Sequence, residues 1–298
     1  MDTSLKGLSD LYQWHYRPQR PERPAWFTAW PQGARIAVML IILHEWESVP
    51  RSARPMPKNA HHTFDFLSLG AREYGARFGI YRILDILDRH GVKASMMCSG
   101  LMCDLFPETI NTGMERGHEL GTHQWDQAIH PPVFTSKDEE RVSLSRATAA
   151  LEKLTGKKTL GYMSQGPRPT PHTLEICVES GFRWTCDFSD SDVPYTIDVD
   201  GKKMVSVGYV MPGYTDSDLG RLGFGPGLEQ LIATYDAVYE ESARHPMKFC
   251  YVLHNHLSGR PALATILDRF LTHARSKPGA WFCRGIDMAE FWMSQGSK

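Results

Sequence analysis

Three short segments of this 298-residue chain place ionisable side chains directly behind apolar runs, where a buried strand would release them. The first is Leu43-His44-Glu45-Trp46-Glu47, which follows the Val/Ile/Leu run from Ile36 to Leu43. Carboxylates at i and i+2 face one side while the chain stays extended. That suits a metal site, or a general base beside a second acid. The second is Gly117-His118-Glu119-Leu120-Gly121-Thr122-His123-Gln124-Trp125-Asp126-Gln127, in which a short strand delivers His123. The third is Tyr251-Val252-Leu253-His254-Asn255-His256, followed by Ser258-Gly259-Arg260-Pro261. Alternation puts His254 and His256 on one face. Taken singly, each segment is also what a strand reaching solvent looks like, and His118 reads as a core histidine satisfied by backbone.

The elements that must position these residues alternate. A Pro-rich arm runs to about Gly33, where proline blocks both helix interiors and sheet pairing. A strand follows from Arg35 to Leu43, and then a long polar stretch, Glu47 to Gly75, containing Pro55, Pro57, His61 and His62, of a length usually tied to function. Helices are expected over 78–89, 107–115, 136–154, 171–180, 228–243, 261–276 and 288–292, with Ser136-Lys137-Asp138-Glu139 as a capping box. Strands are expected over 92–98, 118–122, 160–163, 183–187, 204–207, 248–254 and 281–284. Asp187, Asp190 and Asp192 read as an acidic loop before Pro194. The Gly-rich stretch 220–227 lacks a phosphate-loop lysine and reads as a turn. Alternating strands and helices without a linker imply parallel βα units in one domain. The expected organisation is an arm over 1–33 and a barrel over 34–298, with the reactive groups at the C-terminal ends of the strands.

The bulk numbers exclude some partners. The chain is 42% hydrophobic and 22% charged, with net charge −1 and pI near 6.9. That balance argues against nucleic acid or an anionic membrane, both of which call for a basic excess. The longest apolar stretch, Ile36 to Leu43, is too short to cross a bilayer. Six cysteines without CxxC spacing read as reduced core thiols, and a cytoplasmic location is expected. The arm would suit an intersubunit clasp in a homo-oligomer.

Together the three segments resemble the motifs of the polysaccharide deacetylase (NodB-homology) superfamily. Gly117–Gln127 is similar to its GHE(I/V)G-x-H-x-x-x-H motif, and Leu253-His254-Asn255 to its L-H-P motif. Gly33–Val38, Glu73–Gly79, Asp190–Tyr195 and Ser258–Pro261 resemble the branch of cofactor-independent allantoinases, cyclic imide hydrolases and one class of peptidoglycan deacetylase. The resemblance spans roughly Gly33 to Trp292. It implies an α/β fold, a distorted parallel (β/α) barrel of about seven strands. It also implies that Glu45 is the acidic base, that Glu45 or Glu47 is the metal carboxylate, that His123 is the first metal histidine, and that His254 is the general acid or oxyanion holder.

The departures matter equally. The family's second ligand histidine falls at Gln127, an amide that is a poor zinc ligand beside imidazole. Tyr162-Met163-Ser164-Gln165-Gly166-Pro167 replaces its Arg-x-Pro segment. The expected activity is therefore hydrolytic opening of a small cyclic amide or imide by Glu45, His123 and His254, with no cofactor. Trp46, Trp125, Gln127, Tyr162 and Arg260 are candidate substrate contacts, the aromatic rings as flat walls for a planar ring. One alternative is a metal-dependent N-deacetylase of a carbohydrate or peptidoglycan, with zinc as the candidate metal and Glu47, His123 and a substitute third ligand such as His44 or His256 holding it. Another is a non-catalytic small-molecule-binding barrel.

Overall fold

The computed structural model describes residues 23–48, 65–210 and 212–295. Pro55, Pro57, His61 and His62 of the long polar stretch lie outside the described residues. In chain order the first elements are β1 (Ile36–His44), α1 (Phe66–Tyr74), α2 (Ile80–Arg89), β2 (Ser95–Cys98), α3 (Met102–Leu105), α4 (Pro107–Glu115) and β3 (Glu119–Thr122). Next come α5 (Lys137–Thr155), β4 (Gly161–Tyr162), α6 (Thr173–Ser180), β5 (Trp184–Thr185), β6 (Tyr195–Val199), β7 (Lys202–Ser206) and β8 (Gly213–Thr215). The chain closes with α7 (Asp216–Leu222), α8 (Phe224–Glu241), β9 (Met247–His254), α9 (Pro261–Ser276), β10 (Ala280–Cys283) and α10 (Gly285–Gln295).

The ten strands of the described residues form one curled sheet in the order β6-β7-β5-β4-β3-β2-β1-β9-β8, with β10 also on β1. Every pairing is parallel except β6 with β7. β1 is the axis: β9 runs along it from Ile36↔Met247 to Leu43↔His254, while β10 and β2 pair its first and second halves. All nine of its residues are buried, which explains the unbroken apolar run. Among the described residues the barrel is thus open, its ends being β6 and β8.

Several expectations shift at this level. The polar stretch 47–75 is not all loop, because Asp65 caps α1 by accepting the amides of Leu67 and Ser68. The Gly-rich 220–227 stretch is not a turn: it holds the end of α7 and the start of α8, broken only at Gly223, whose φ is +84°. The segment after Pro194 forms β6, folded back on β7 through Asp200 and Gly201. Both have positive φ, the requirement of a tight hairpin turn, and an Asp-Gly pair is its sequence signal. The capping box is offset by one residue. Ser136 accepts the Glu139 amide, but the Glu139 carboxylate takes the Thr135 amide. From the arm, Phe27 and Trp30 pack inward against Phe291, and the Trp30 indole donates to the Met247 carbonyl at 2.7 Å.

The single turn of π-helix that joins α1 to α2, Gly75–Gly79, rests directly on the loop that follows His254. A Cβ at Gly79 would run into the Asn255 carbonyl, and one at Gly75 would lie 2.7 Å from the His256 amide nitrogen. Gly79→Ala is expected to cost on the order of 1–3 kcal/mol through forced backbone shifts. Gly70→Ala, in open space on the same helical run, should be neutral or stabilising by up to about 1 kcal/mol. Urea unfolding of the two variants checks the contrast, and equal effects would remove the close-approach explanation.

Candidate active site

The site follows from strand alternation. Along β1 the residues Ala37, Met39, Ile41 and Leu43 face the inside of the curl with Met97, Met163, Cys250 and Val252. Ile36, Val38, Leu40 and Ile42 face the outer helices. Period-two alternation then carries Glu45 inward and His44 and Trp46 outward. The same parity brings His123 inward from β3 and His254 inward from β9. Thr122↔Tyr162 and Leu43↔His254 registers bring these strand ends to a common level.

Glu45 and His123 are both buried and face each other, Oε2 to Nε2, at 3.4 Å. The His123 Nδ1 lies 2.8 Å from the Met163 carbonyl, which can only accept, so the neutral ring carries its proton there. Its Nε2 lone pair is therefore aimed at a carboxylate oxygen. Among the described residues neither atom has another hydrogen-bond partner. Burial pushes the Glu45 carboxyl upward, but the positive charges of Arg72 and His254 prevail and hold it well below the usual carboxylate range. Glu45 is an anion at neutral pH.

The second centre is a buried Asp–His pair. The Asp216 Oδ1 is 2.6 Å from the His254 Nδ1, and Oδ2 accepts the amides of His254 and Ser258 and the Ser258 hydroxyl. Burial works against charging this imidazole, yet Asp216 and then Glu45 outweigh it, and the His254 pKa is raised. With Nδ1 taken by Asp216, Nε2–H is the proton available for donation. Arg72, on α1, closes the mouth. It donates to the Glu45 Oε1 at 2.6 Å and to the His256 Nδ1 at 3.0 Å, and lies 2.9 Å from the Glu47 Oε1.

The candidate substrate contacts separate by face. Trp46 packs against Phe106 with ring centroids 5.3 Å apart, and Tyr162 is fully buried among the outer helices, its hydroxyl accepting from Gln124. The expectation that these two wall a substrate is corrected: their strand parity turns them away from Glu45. Trp125 is covered by the Arg146 guanidinium at 3.5 Å. Arg260 lies in the loop after His254, its Nε donating to the His256 carbonyl. Gln127 keeps a buried, unpartnered Oε1.

Neighbouring polar residues are also more buried than sequence position suggests. Asp187, expected as loop, is buried, accepts the Ser164 amide at 2.7 Å, and is pushed up to about 7 by burial. Its Oδ2 and the Gln165 Oε1 have no donor among the described residues. Glu119, in the same segment as His123, is an anchor: it accepts from Ser95, the Trp184 indole and the Ile286 amide, tying β3 to α10. His118 accepts the Ala94 amide, as a core histidine should.

A divalent ion of the kind the resemblance implies would need three protein donors. Glu45 Oε2 and His123 Nε2 supply two. Gln127 stands in the third place, and Glu47 and His256 are both held by Arg72. His44 points outward to Thr109 and Asn255 and is held neutral, its pKa lowered by burial to about 4. Among the described residues no group of three or more His, Cys, Asp or Glu side chains is arranged to hold a metal ion. These residues do not fit a closed metal site.

Asp216 and Arg72 carry no signal in the sequence patterns, since each reaches the site from a helix start or helix face far along the chain. Asp216→Asn should lower the His254 pKa, read from the imidazole titration by NMR. Because that pKa is raised in the fold, its stabilisation is complete below the unfolded value near 6.5 and fades as pH rises through the folded value. The variant is expected to lose on the order of 2–4 kcal/mol, most at the acidic end of that window. An unchanged His254 titration in the folded variant would refute the pairing.

Comparison with known proteins places this geometry. The polysaccharide deacetylase family model matches residues 54–182. A protein of Schizosaccharomyces pombe named provisionally as a polysaccharide deacetylase is 23% identical, over 92% of this chain and 95% of its own. The crystal structure of PuuE allantoinase superposes with a TM-score of 0.81 at 26% identity, covering 93% of this chain and 96% of its own. That of a probable polysaccharide deacetylase from Pseudomonas aeruginosa PAO1 gives 0.78 at 26% identity, covering 92% and 96%. No helix among the described residues is long and apolar enough to cross a membrane. In its sequence match over residues 54–182 and in its curled parallel sheet, the chain is similar to the polysaccharide deacetylase (NodB) domain family and shares its fold.

Proposed function

We propose that the protein hydrolyses a C–N bond in a small cyclic amide or imide, in the manner of an imidase or allantoinase, and that it does so without a catalytic metal. The observation that carries this reading is the Glu45–His123 pair. Two buried acceptors, 3.4 Å apart and without a donor between them, form a base that lacks one proton. Water bound there gives up that proton as its oxygen adds to the ring carbonyl. The His254 imidazolium, oriented by Asp216, gives its Nε2 proton to the departing nitrogen as the C–N bond breaks, leaving a ring-opened acid with a free amide or amine end. Earlier in the same step it supports the developing oxyanion.

Two further points favour a ring with N–H groups. Gln127, Gln165 and Asp187 leave buried acceptor oxygens unpaired, and imide and ureide N–H groups would satisfy acceptors of this kind. A strained or activated ring also has a better leaving group than a plain acetamide, so it asks for less Lewis-acid help. The structural similarity to PuuE allantoinase agrees with this direction. The protein is read as working on small molecules in the cytoplasm, as a homo-oligomer, with Gln127 and Arg260 contacting the substrate.

Glu45→Gln should reduce kcat/KM by about 100- to 10,000-fold. The panel is succinimide, hydantoins, allantoin and acetylated sugars, each with and without chelator. Full activity of a folded Glu45→Gln protein on every cyclic substrate the parent turns over would end this proposal. Turnover confined to acetylated sugars and abolished by chelator would instead select the metal-dependent deacetylase.

A further inference from the structure

The position of Arg72 points to a role that neither the motifs nor the comparisons assign. Its guanidinium is clamped by three acceptors from two strand ends: Glu45 Oε1 at 2.6 Å, His256 Nδ1 at 3.0 Å and Glu47 Oε1 at 2.9 Å. The side chain is only 14% exposed and the Glu45 side chain 2%. A guanidinium stays charged at any working pH and its planar fork suits two carboxylates at once. An arginine cannot accept, so the His256 Nδ1 is the acceptor and its ring is neutral. Three donor atoms gathered around a buried positive charge are what a cation shell consists of.

We propose that Arg72 is the built-in cation of this site, and that it is what closes the mouth to a divalent metal. It pairs with both Glu45 and Glu47 and keeps His256 occupied. Its own charge also repels a dication a few ångströms away. The spacing of the remaining pair supports this: Glu45 Oε2 and His123 Nε2, at 3.4 Å, are as far apart as two ligands on one edge of a zinc tetrahedron with bonds of roughly 2.0–2.1 Å. Two donors are already in place, and two more, from Glu47 and His256, are held away by Arg72. The inference does not depend on which C–N bond is cut.

The test is a zinc titration by calorimetry on protein dialysed against chelator, as wild type, Arg72→Met, Arg72→Lys and the double variant Arg72→Met/Glu47→Gln. Arg72→Met keeps bulk without charge and should bind one zinc at least about 30-fold more tightly than wild type. Arg72→Lys retains the charge and should stay within about threefold of wild type, and the double variant should lose most of the gain. Where removal of the clamp lowers stability, zinc at about 100 Kd should raise the unfolding midpoint of Arg72→Met over its own metal-free value, with no such rise in wild type. Wild type binding one zinc as tightly as Arg72→Met would overturn the proposal. So would an Arg72→Met protein with neither the affinity gain nor the midpoint rise, an Arg72→Lys protein gaining as much as Arg72→Met, or a double variant that keeps the gain. None of these readouts needs a substrate, so failure here and failure of the cyclic-amide reading are separable.

Discussion

Everything at the mouth of this protein depends on β1 being buried on both faces and pleated without interruption. Successive side chains of an extended strand leave on opposite sides, so the alternation that begins at Ile36 determines where Glu45 points nine residues later. Odd-numbered residues enter the interior of the curl and even-numbered ones enter the layer beneath the helices. A slip of one residue would exchange Glu45 for Trp46 in the interior and bury a carboxylate among helices. The parallel registers with β9 and β2 make such a slip expensive, because β1 is paired along nearly its entire length.

Around that frame the charges are arranged in opposite senses. Burial alone would neutralise both Glu45 and His254. Instead Arg72 and His254 hold Glu45 as an anion, while Asp216 and Glu45 raise the His254 pKa against the effect of burial. Two groups whose environments push their protonation apart, at one mouth, are what a general acid and a general base require. The Met163 carbonyl takes the Nδ1 proton of neutral His123 and leaves its Nε2 facing Glu45.

The supporting residues show how closely scaffold and chemistry are joined. Gly75, Gly79 and Gly259 let the helical run carrying Arg72 lie directly against the loop after His254, so that the guanidinium reaches His256 as well as Glu45. Glu119 ties β3 to α10 and the inner strands, two inward-facing positions before His123. The fold itself is shared with proteins named for different reactions, and function must be read from the side chains at the mouth.

The sequence by itself determined the alternating α/β architecture, the helix over 107–115, the helix over 261–276, and the three strand ends that bear Glu45, His123 and His254. It could do so because hydrophobic periodicity, proline at helix starts and apolar runs are local signals. It also marked Gln127 as a departure from the family pattern, since residue identity at a motif position needs no coordinates. Tertiary structure alone decided the rest. Asp216 and Arg72 meet His254 and Glu45 across 38 and 27 residues of chain, and no spacing rule links them. Trp46, one residue from Glu45, was turned outward by strand parity, and Asp187 proved to be buried because the strands around it curl. Local pattern sets what a segment becomes; which side chains then share a charge is set by the packing of segments that the chain keeps far apart.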